Sequence, residues 1–106
     1  MPKYMFVASY TAEGTKGLLK DGGSARKSAV EKLAKSAGGK IEHIWYAFGE
    51  DDVYLVGELP DNATAAAISL TVGASGAVRV RTVPLLSVED IDAASKKSLD
   101  YRKPGG

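Results

Sequence analysis

Two strand-like segments separated by a short acidic turn constrain the fold of this chain most strongly. Residues 40–48 (KIEHIWYAF) and 53–59 (VYLVGEL) are rich in β-branched and aromatic side chains, which is typical of strands. Only residues 49–52 (GEDD) separate them, and this short polar stretch is typical of a turn. The pattern therefore predicts a β-hairpin.

The residues before this hairpin predict one strand and one interrupted helix. Residues 4–10 (YMFVASY) are apolar, aromatic and β-branched, so they predict a buried strand. Thr11 can cap the following helix with its hydroxyl group. Glycines weaken this helix, and Gly22-Gly23 should end or kink it before a better helix over residues 24–37.

The second helical stretch has one apolar and one charged side. Its apolar stripe comprises Ala25, Ala29, Val30, Leu33, Ala34 and Ala37. Its charged side comprises Arg26, Lys27, Glu31, Lys32 and Lys35. We expect the charged side to face solvent.

The residues after the hairpin add a helix and a strand. Asp61 can cap an alanine-rich helix from residue 62 to about residue 72, which can pack closely on a sheet. Residues 77–83 (AVRVRTV) alternate between apolar and polar side chains, which predicts a fourth strand that Pro84 ends.

The C-terminal residues predict a last helix and a polar tail. Ser87 and Asp90 resemble a capping box that opens a helix reaching about Leu99, and residues 101–106 form the tail. The whole order is β-α-β-β-α-β with an additional C-terminal helix. This order predicts an α+β, ferredoxin-like βαββαβ sandwich, with a four-stranded antiparallel sheet and its helices on one face. Residues 1–106 are expected to form a single domain.

Strand periodicity assigns side chains to the sheet face that the helices leave open. In the fourth strand, Val78 and Val80 belong under the helices. An even-numbered hairpin loop would pair Phe48 with Val53 and His43 with Glu58, and partners share a face. The expected open face comprises His43, Trp45, Tyr54, Val56, Glu58, Arg79 and Arg81. This mixture is too apolar for water and too polar for a closed core, so it indicates a symmetric interface between copies that encloses a pocket.

Several open-face residues have both a chemical and a structural interpretation. His43 beside Glu58 is a weak candidate for a general base, and a strand histidine that hydrogen-bonds across an interface is favoured over it. Arg79 and Arg81 could bind a carboxylate or phosphate, or they could pair with acidic side chains. Trp45 and Tyr54 could line a ligand site or anchor an interface.

Composition excludes several classes of function. The net charge is +1, so the chain lacks the basic surface typical of nucleic-acid binding. It has no cysteine, hence no disulfide or thiolate metal site. The spacing of Glu50, Asp51 and Asp52 matches no calcium loop, so we expect a solvated turn and no metal site or cofactor. With no signal-peptide pattern and no membrane-spanning segment, we expect a cytoplasmic protein without membrane partners.

The chain as a whole resembles the GYD-domain family of small bacterial proteins. The resemblance rests on Ser9-Tyr10-Thr11, Glu13-Gly14, Gly17-Leu18-Leu19, Ala29 to Leu33, Gly38-Gly39-Lys40, Ala47 to Glu50, Leu59-Pro60-Asp61, Arg81 to Leu86 and Asp100-Tyr101-Arg102. The family's Gly-x-Tyr-Asp signature reads Gly49-Glu50-Asp51-Asp52 here, so Asp51 replaces the tyrosine.

This resemblance implies a ferredoxin-like fold of the dimeric α/β-barrel type, and it implies no assigned activity. Related families include cofactor-independent monooxygenases, haem-handling enzymes and small-molecule-binding proteins. Three hypotheses follow. The first is a homo-oligomer that binds a small, partly apolar or anionic molecule between paired sheets. The second is an oxygenase or isomerase acting on an aromatic metabolite, and the third is a purely structural assembly module.

Overall fold

The computed structural model describes residues 1–106 and has the predicted order of strands and helices. The elements are β1 (Lys3–Tyr10), α1 (Ala12–Ser36), β2 (Lys40–Tyr46), β3 (Val53–Glu58), α2 (Asn62–Ala74), β4 (Val78–Leu85) and α3 (Val88–Ser95). The four strands form one antiparallel sheet in the order β2-β3-β1-β4. This α+β arrangement is ferredoxin-like, as the sequence predicts.

Both long helices cover the same face of the sheet. α1 lies over β2 and β1, whereas α2 lies over β4. The core between helices and sheet contains Tyr4, Phe6, Ala8, Val53, Leu55, Leu59, Ala65 and Val78. The opposite face is covered by neither helix, and we call it the open face.

The helix caps confirm the sequence predictions. The Thr11 side chain accepts a hydrogen bond from the Gly14 N–H at 3.3 Å, and the Asp61 side chain accepts one from the Thr64 N–H at 2.8 Å. α1 is kinked at Gly22, whose φ of 81° lies in the left-handed region that favours glycine. Local sequence therefore sets where these helices begin and bend.

Most of the predicted apolar stripe of α1 faces the sheet, since Ala34 is buried and Val30, Leu33 and Ala37 are half-buried. The prediction fails at the N-terminal end of the stripe. Ala25 and Ala29 are exposed, while Arg26 is half-buried on the same side as Val30 and Ala34. The expectation that Arg26 faces solvent is wrong, because these positions follow the i, i+4, i+8 spacing of one helix face.

The register of the β2–β3 hairpin also differs from the prediction. His43 lies opposite Val56, so the expected pair of His43 and Glu58 is wrong by two residues. A shift of two residues keeps each side chain on its predicted face. His43 and Trp45 therefore still lie on the open face with Tyr54, the partner of Trp45.

The longer turn explains this shift in register. β2 ends at Tyr46, which lies opposite Val53, so Phe48 belongs to the turn and is not the partner of Val53. The Ala47 N–H donates a hydrogen bond to the Asp52 carbonyl at 2.9 Å, which closes the turn.

A β-bulge between Ile41 and His43 resolves the irregular alternation of β2. Without it, these two residues would share one face of the sheet. The extra residue, Glu42, lets both Ile41 and Ile44 pack against the core while His43 remains on the open face.

Two predicted element ends are corrected. β4 continues through Pro84 to Leu85, because β4 is an edge strand and a proline there disrupts no pairing on its outer side. α3 ends at Ser95 rather than near Leu99, although the capping box of Ser87 and Asp90 is confirmed.

The C-terminal segment, residues 86–106, lies away from the rest of the chain. All of its residues are exposed, including Leu86, Val88 and Ile91. The radius of gyration is 16.9 Å, compared with about 13 Å for a compact domain of this length. α3 therefore contributes nothing to the core of the chain.

Two glycines of α1 provide a matched test of its packing. A Cβ at Gly14 would lie 2.0 Å from the Ala77 carbonyl oxygen, whereas a Cβ at Gly17 would have no atom within 4 Å. We predict that Gly14→Ala lowers the free energy of unfolding by about 1–3 kcal/mol, because backbone must move. Gly17→Ala should raise it by about 0.5–1 kcal/mol. Urea unfolding measures both, and equal effects would contradict this packing.

Candidate functional site

The open face arranges its side chains in rows that run across all four strands. The first row contains Trp45, Tyr54, Val7 and Arg81, and the second contains His43, Val56, Met5 and Val83. A third row contains Lys40, Glu58, Lys3 and Leu85. The structure thus brings most of the predicted site residues into two adjacent rows.

The centre of the open face is apolar and its β2 side is aromatic. Val7 is only 3% exposed even in the single chain, whereas Trp45 is 58% exposed. The His43 ring stacks on Trp45, with ring centroids 5.1 Å apart and planes inclined by 15°. An uncovered indole with a stacked imidazole forms a flat platform on this face.

Glu58 belongs to an ion-pair cluster and is not a partner of His43. The Lys3 ammonium lies 2.7 Å from a Glu42 carboxylate oxygen and 3.5 Å from Glu58, and Lys40 lies 3.7 Å from Glu58. The hydrogen bond from Lys3 holds the pKa of Glu42 below its ordinary value, and the same bond raises the pKa of Lys3. His43 therefore has no ion-paired carboxylate that would support it as a base.

The two arginines differ in their partners. Arg81 lies 3.8 Å from an Asp51 carboxylate oxygen, whereas Arg79 forms no ion pair. Asp51 also accepts hydrogen bonds from the Ser9 hydroxyl at 3.3 Å and from the Tyr54 hydroxyl at 3.5 Å. Asp51 in the turn thus contacts residues of β1, β3 and β4.

The acidic turn is less solvated than its sequence predicts. Asp51 and Asp52 are half-buried, and Asp52 bridges the turn to β1. Its carboxylate accepts a hydrogen bond from the Tyr10 N–H at 2.9 Å, and its own N–H donates to the Ala8 carbonyl at 2.9 Å. No group of three His, Asp or Glu side chains in the chain could hold a metal ion.

A second feature lies on the covered face of the sheet, where sequence patterns predict only core. α1 and α2 lie over different strands, and a cavity of about 70 Å³ lies between them and the sheet. Its lining is almost entirely apolar, with contributions from both helices and all four strands: Phe6, Ala8, Val30, Leu33, Ile41, Ile44, Val53, Leu55, Ile68, Val72, Val78 and Val80. We call it the helix-side cavity.

Polar groups occur at few positions of this cavity. Tyr10, Tyr46 and Arg26 line it, and the two tyrosines also border a shallower hollow of about 330 Å³ beside the hairpin turn. Burial raises the pKa of Tyr46, the nearby Tyr10 hydroxyl raises it further, and Arg26 lowers it. The Tyr46 hydroxyl donates to the Gly23 carbonyl at 3.2 Å, beside the kink of α1.

Sequence patterns do not predict this cavity, because it exists where the core side chains fail to fill the space between the helices and the sheet. The sequence signal for it is weak: small residues dominate α2, and glycines interrupt α1. Such residues leave space between helices.

We predict that the contact between Asp52 and Tyr10 holds the hairpin turn on β1. Asp52→Ala should lower the free energy of unfolding by about 1.5–3 kcal/mol, the usual contribution of a hydrogen bond to a charged group. The matched control is Glu50→Ala, since the Glu50 side chain is exposed and makes no hydrogen bond. Urea unfolding of both variants measures the difference, and equal stabilities would refute the role of Asp52.

The depressed pKa of Glu42 predicts a dependence of stability on pH. A carboxylate whose folded pKa is lowered stabilises the protein above its unfolded pKa, here 4.5. That contribution is lost as the pH falls through the folded pKa. Between pH 5 and about pH 3, stability of Glu42→Gln should therefore decline less steeply than that of the unaltered protein. Urea unfolding at several pH values checks this, and parallel profiles would contradict it.

Comparisons with known proteins identify the family and nothing finer. No curated protein and no solved structure matches the chain significantly. None of the helices is long and apolar enough to cross a lipid bilayer. A sequence model described as the GYD domain matches residues 4–95, which include all three helices and all of the sheet except Lys3. The chain therefore belongs to the GYD-domain family.

Proposed function

We propose that this protein is a cytoplasmic homo-oligomer, at least a dimer, that binds a small, partly apolar or anionic molecule between paired open faces. The observation that carries the proposal is an apolar sheet face left uncovered by its own helices. Met5 and Val56 lie half-buried near its centre, and Trp45 stands 58% exposed beside them. A face of this kind is typical of an interface between copies.

The charges on the open face support self-pairing as well. The ion-pair cluster of Lys3, Lys40, Glu42 and Glu58 lies toward one end of the strands, and Arg81 with Asp51 lies toward the other. An apolar centre flanked by paired charges matches the core-and-rim organisation of protein interfaces.

The exposed C-terminal segment supplies a further argument. Leu86, Val88 and Ile91 are 68%, 74% and 53% exposed, and α3 buries no residue. A second copy would give these side chains a surface to pack on, because they are more than half exposed in the single chain.

Arg79 is our reason for proposing that the small molecule binds on the open face. Its guanidinium forms no ion pair, unlike that of Arg81. Arg79 and Arg81 would bind an anionic group, while Trp45 and Tyr54 would stack on an apolar part. No observation favours the oxygenase or isomerase hypothesis, since His43 and Glu58 are not partners.

Sedimentation velocity across a range of protein concentrations tests the self-pairing. We expect a mass of at least twice 11.1 kDa, and a blue shift of the fluorescence of Trp45, the only tryptophan, as subunits associate. Val56→Lys should produce a folded monomer, because a charge then occupies the centre of the open face. Leu70→Lys is the matched control, since Leu70 is 74% exposed on α2. A monomer at all concentrations would refute the proposal.

Native mass spectrometry of the protein as purified tests the ligand. A dimer that carries a small molecule, lost in Arg79→Gln while the dimer persists, supports the binding function. A dimer that never carries one supports the assembly module instead.

A further inference from the structure

The helix-side cavity combines an apolar wall with a single uncompensated charge. Two basic residues line the cavity, and the side chain of one of them, Lys40, belongs to the open face, where its ammonium lies 3.7 Å from the Glu58 carboxylate. Arg26 forms no ion pair and no side-chain hydrogen bond, and it is half-buried. A guanidinium at the edge of an apolar space favours an anion as its partner.

The position of Arg26 on α1 is part of this argument. Arg26, Val30 and Ala34 are spaced four residues apart and lie on the helix side that lines the cavity. Its exposed neighbour Lys27 is not part of the cavity lining. The chain thus places a cation where the helix pattern normally places an apolar side chain.

The size of the cavity limits what can occupy it. A volume of about 70 Å³ exceeds several-fold the roughly 10–15 Å³ that one water molecule needs. Water bound deep in this space would find few polar partners, because the wall there is apolar. A slender apolar group fits both the volume and the chemistry.

We propose that the helix-side cavity binds a small apolar carboxylic acid, with its carboxylate on Arg26 and its hydrocarbon part between α1, α2 and the sheet. The Tyr10 hydroxyl, which lies near that of Tyr46, is a second donor at this end. Entry is from the hollow that Tyr10 and Tyr46 also border. This site is distinct from the open face, and it is complete within one subunit.

An NMR titration of the ¹⁵N-labelled protein with hexanoate tests the site. Amide signals of Val30, Ile68 and Val72 should shift, whereas the indole signal of Trp45 on the open face should not. Acetate, which lacks the apolar part, and hexylamine, which carries the opposite charge, should bind at least about tenfold more weakly. Equal shifts with hexanoate and hexylamine would overturn the assignment of the anion to Arg26.

Matched variants test whether Arg26 and the cavity wall hold the hexanoate. Arg26→Gln should weaken hexanoate binding at least about tenfold, the loss expected for one hydrogen bond to a charged group. Lys27→Gln changes the net charge equally and should have no effect. Val72→Phe should abolish binding by filling the cavity. If Val72→Phe does not fold, the comparison of Arg26→Gln with Lys27→Gln still decides the question, and equal affinities would refute the proposal.

The monomeric variant distinguishes this inference from the proposed function. Hexanoate should bind Val56→Lys as tightly as the unaltered protein, because Val56 does not line the helix-side cavity. Loss of binding in Val56→Lys or in Arg79→Gln would place hexanoate on the open face and overturn the assignment to the cavity.

Discussion

The rest of the structure depends on the fact that the helices cover only one of the two faces of the sheet. A four-stranded sheet has two faces, and the chain places both long helices on the same one. The central strand β1 pairs with both β3 and β4, so alternate residues of β1 serve the two faces. Tyr4 and Phe6 are buried under the helices, while Val7 lies on the open face. Each face therefore has its own chemistry.

The fold follows from the sequence wherever local chemistry decides it. Thr11, Asp61 and Ser87 cap the helices that their positions predict, and Gly22 kinks α1. The predicted hairpin register is wrong by two residues because β2 ends at Tyr46 and Phe48 belongs to the turn. The turn also contacts β1 through Asp52 and Tyr10, and hairpin periodicity carries no information about such tertiary contacts.

The candidate site is only partly predictable for the same reason. Strand alternation places Trp45, Tyr54 and Arg81 on one face, and their row follows once the strand order is known. The partner of Glu58 depends on the bulge at Glu42, which no residue pattern reveals. The orientation of Arg26 depends on how α1 packs on β2 and β1. Its charge alone predicts the solvent-facing side of α1, which is not the side on which it lies.

Covering the open face and filling the helix-side cavity should affect the stability of the chain in different ways. Covering the open face buries apolar rows but must accommodate the charges at its ends, so it favours a partner with complementary charges. Filling the helix-side cavity restores packing contacts that a void forfeits. For a cavity of about 70 Å³ the missing contacts are equivalent to roughly 1–2 kcal/mol. Because a molecule that binds only the folded chain stabilises it, occupancy of this cavity and stability of the subunit are thermodynamically linked. The proposed pairing of the open faces would add a separate linkage, one that depends on protein concentration.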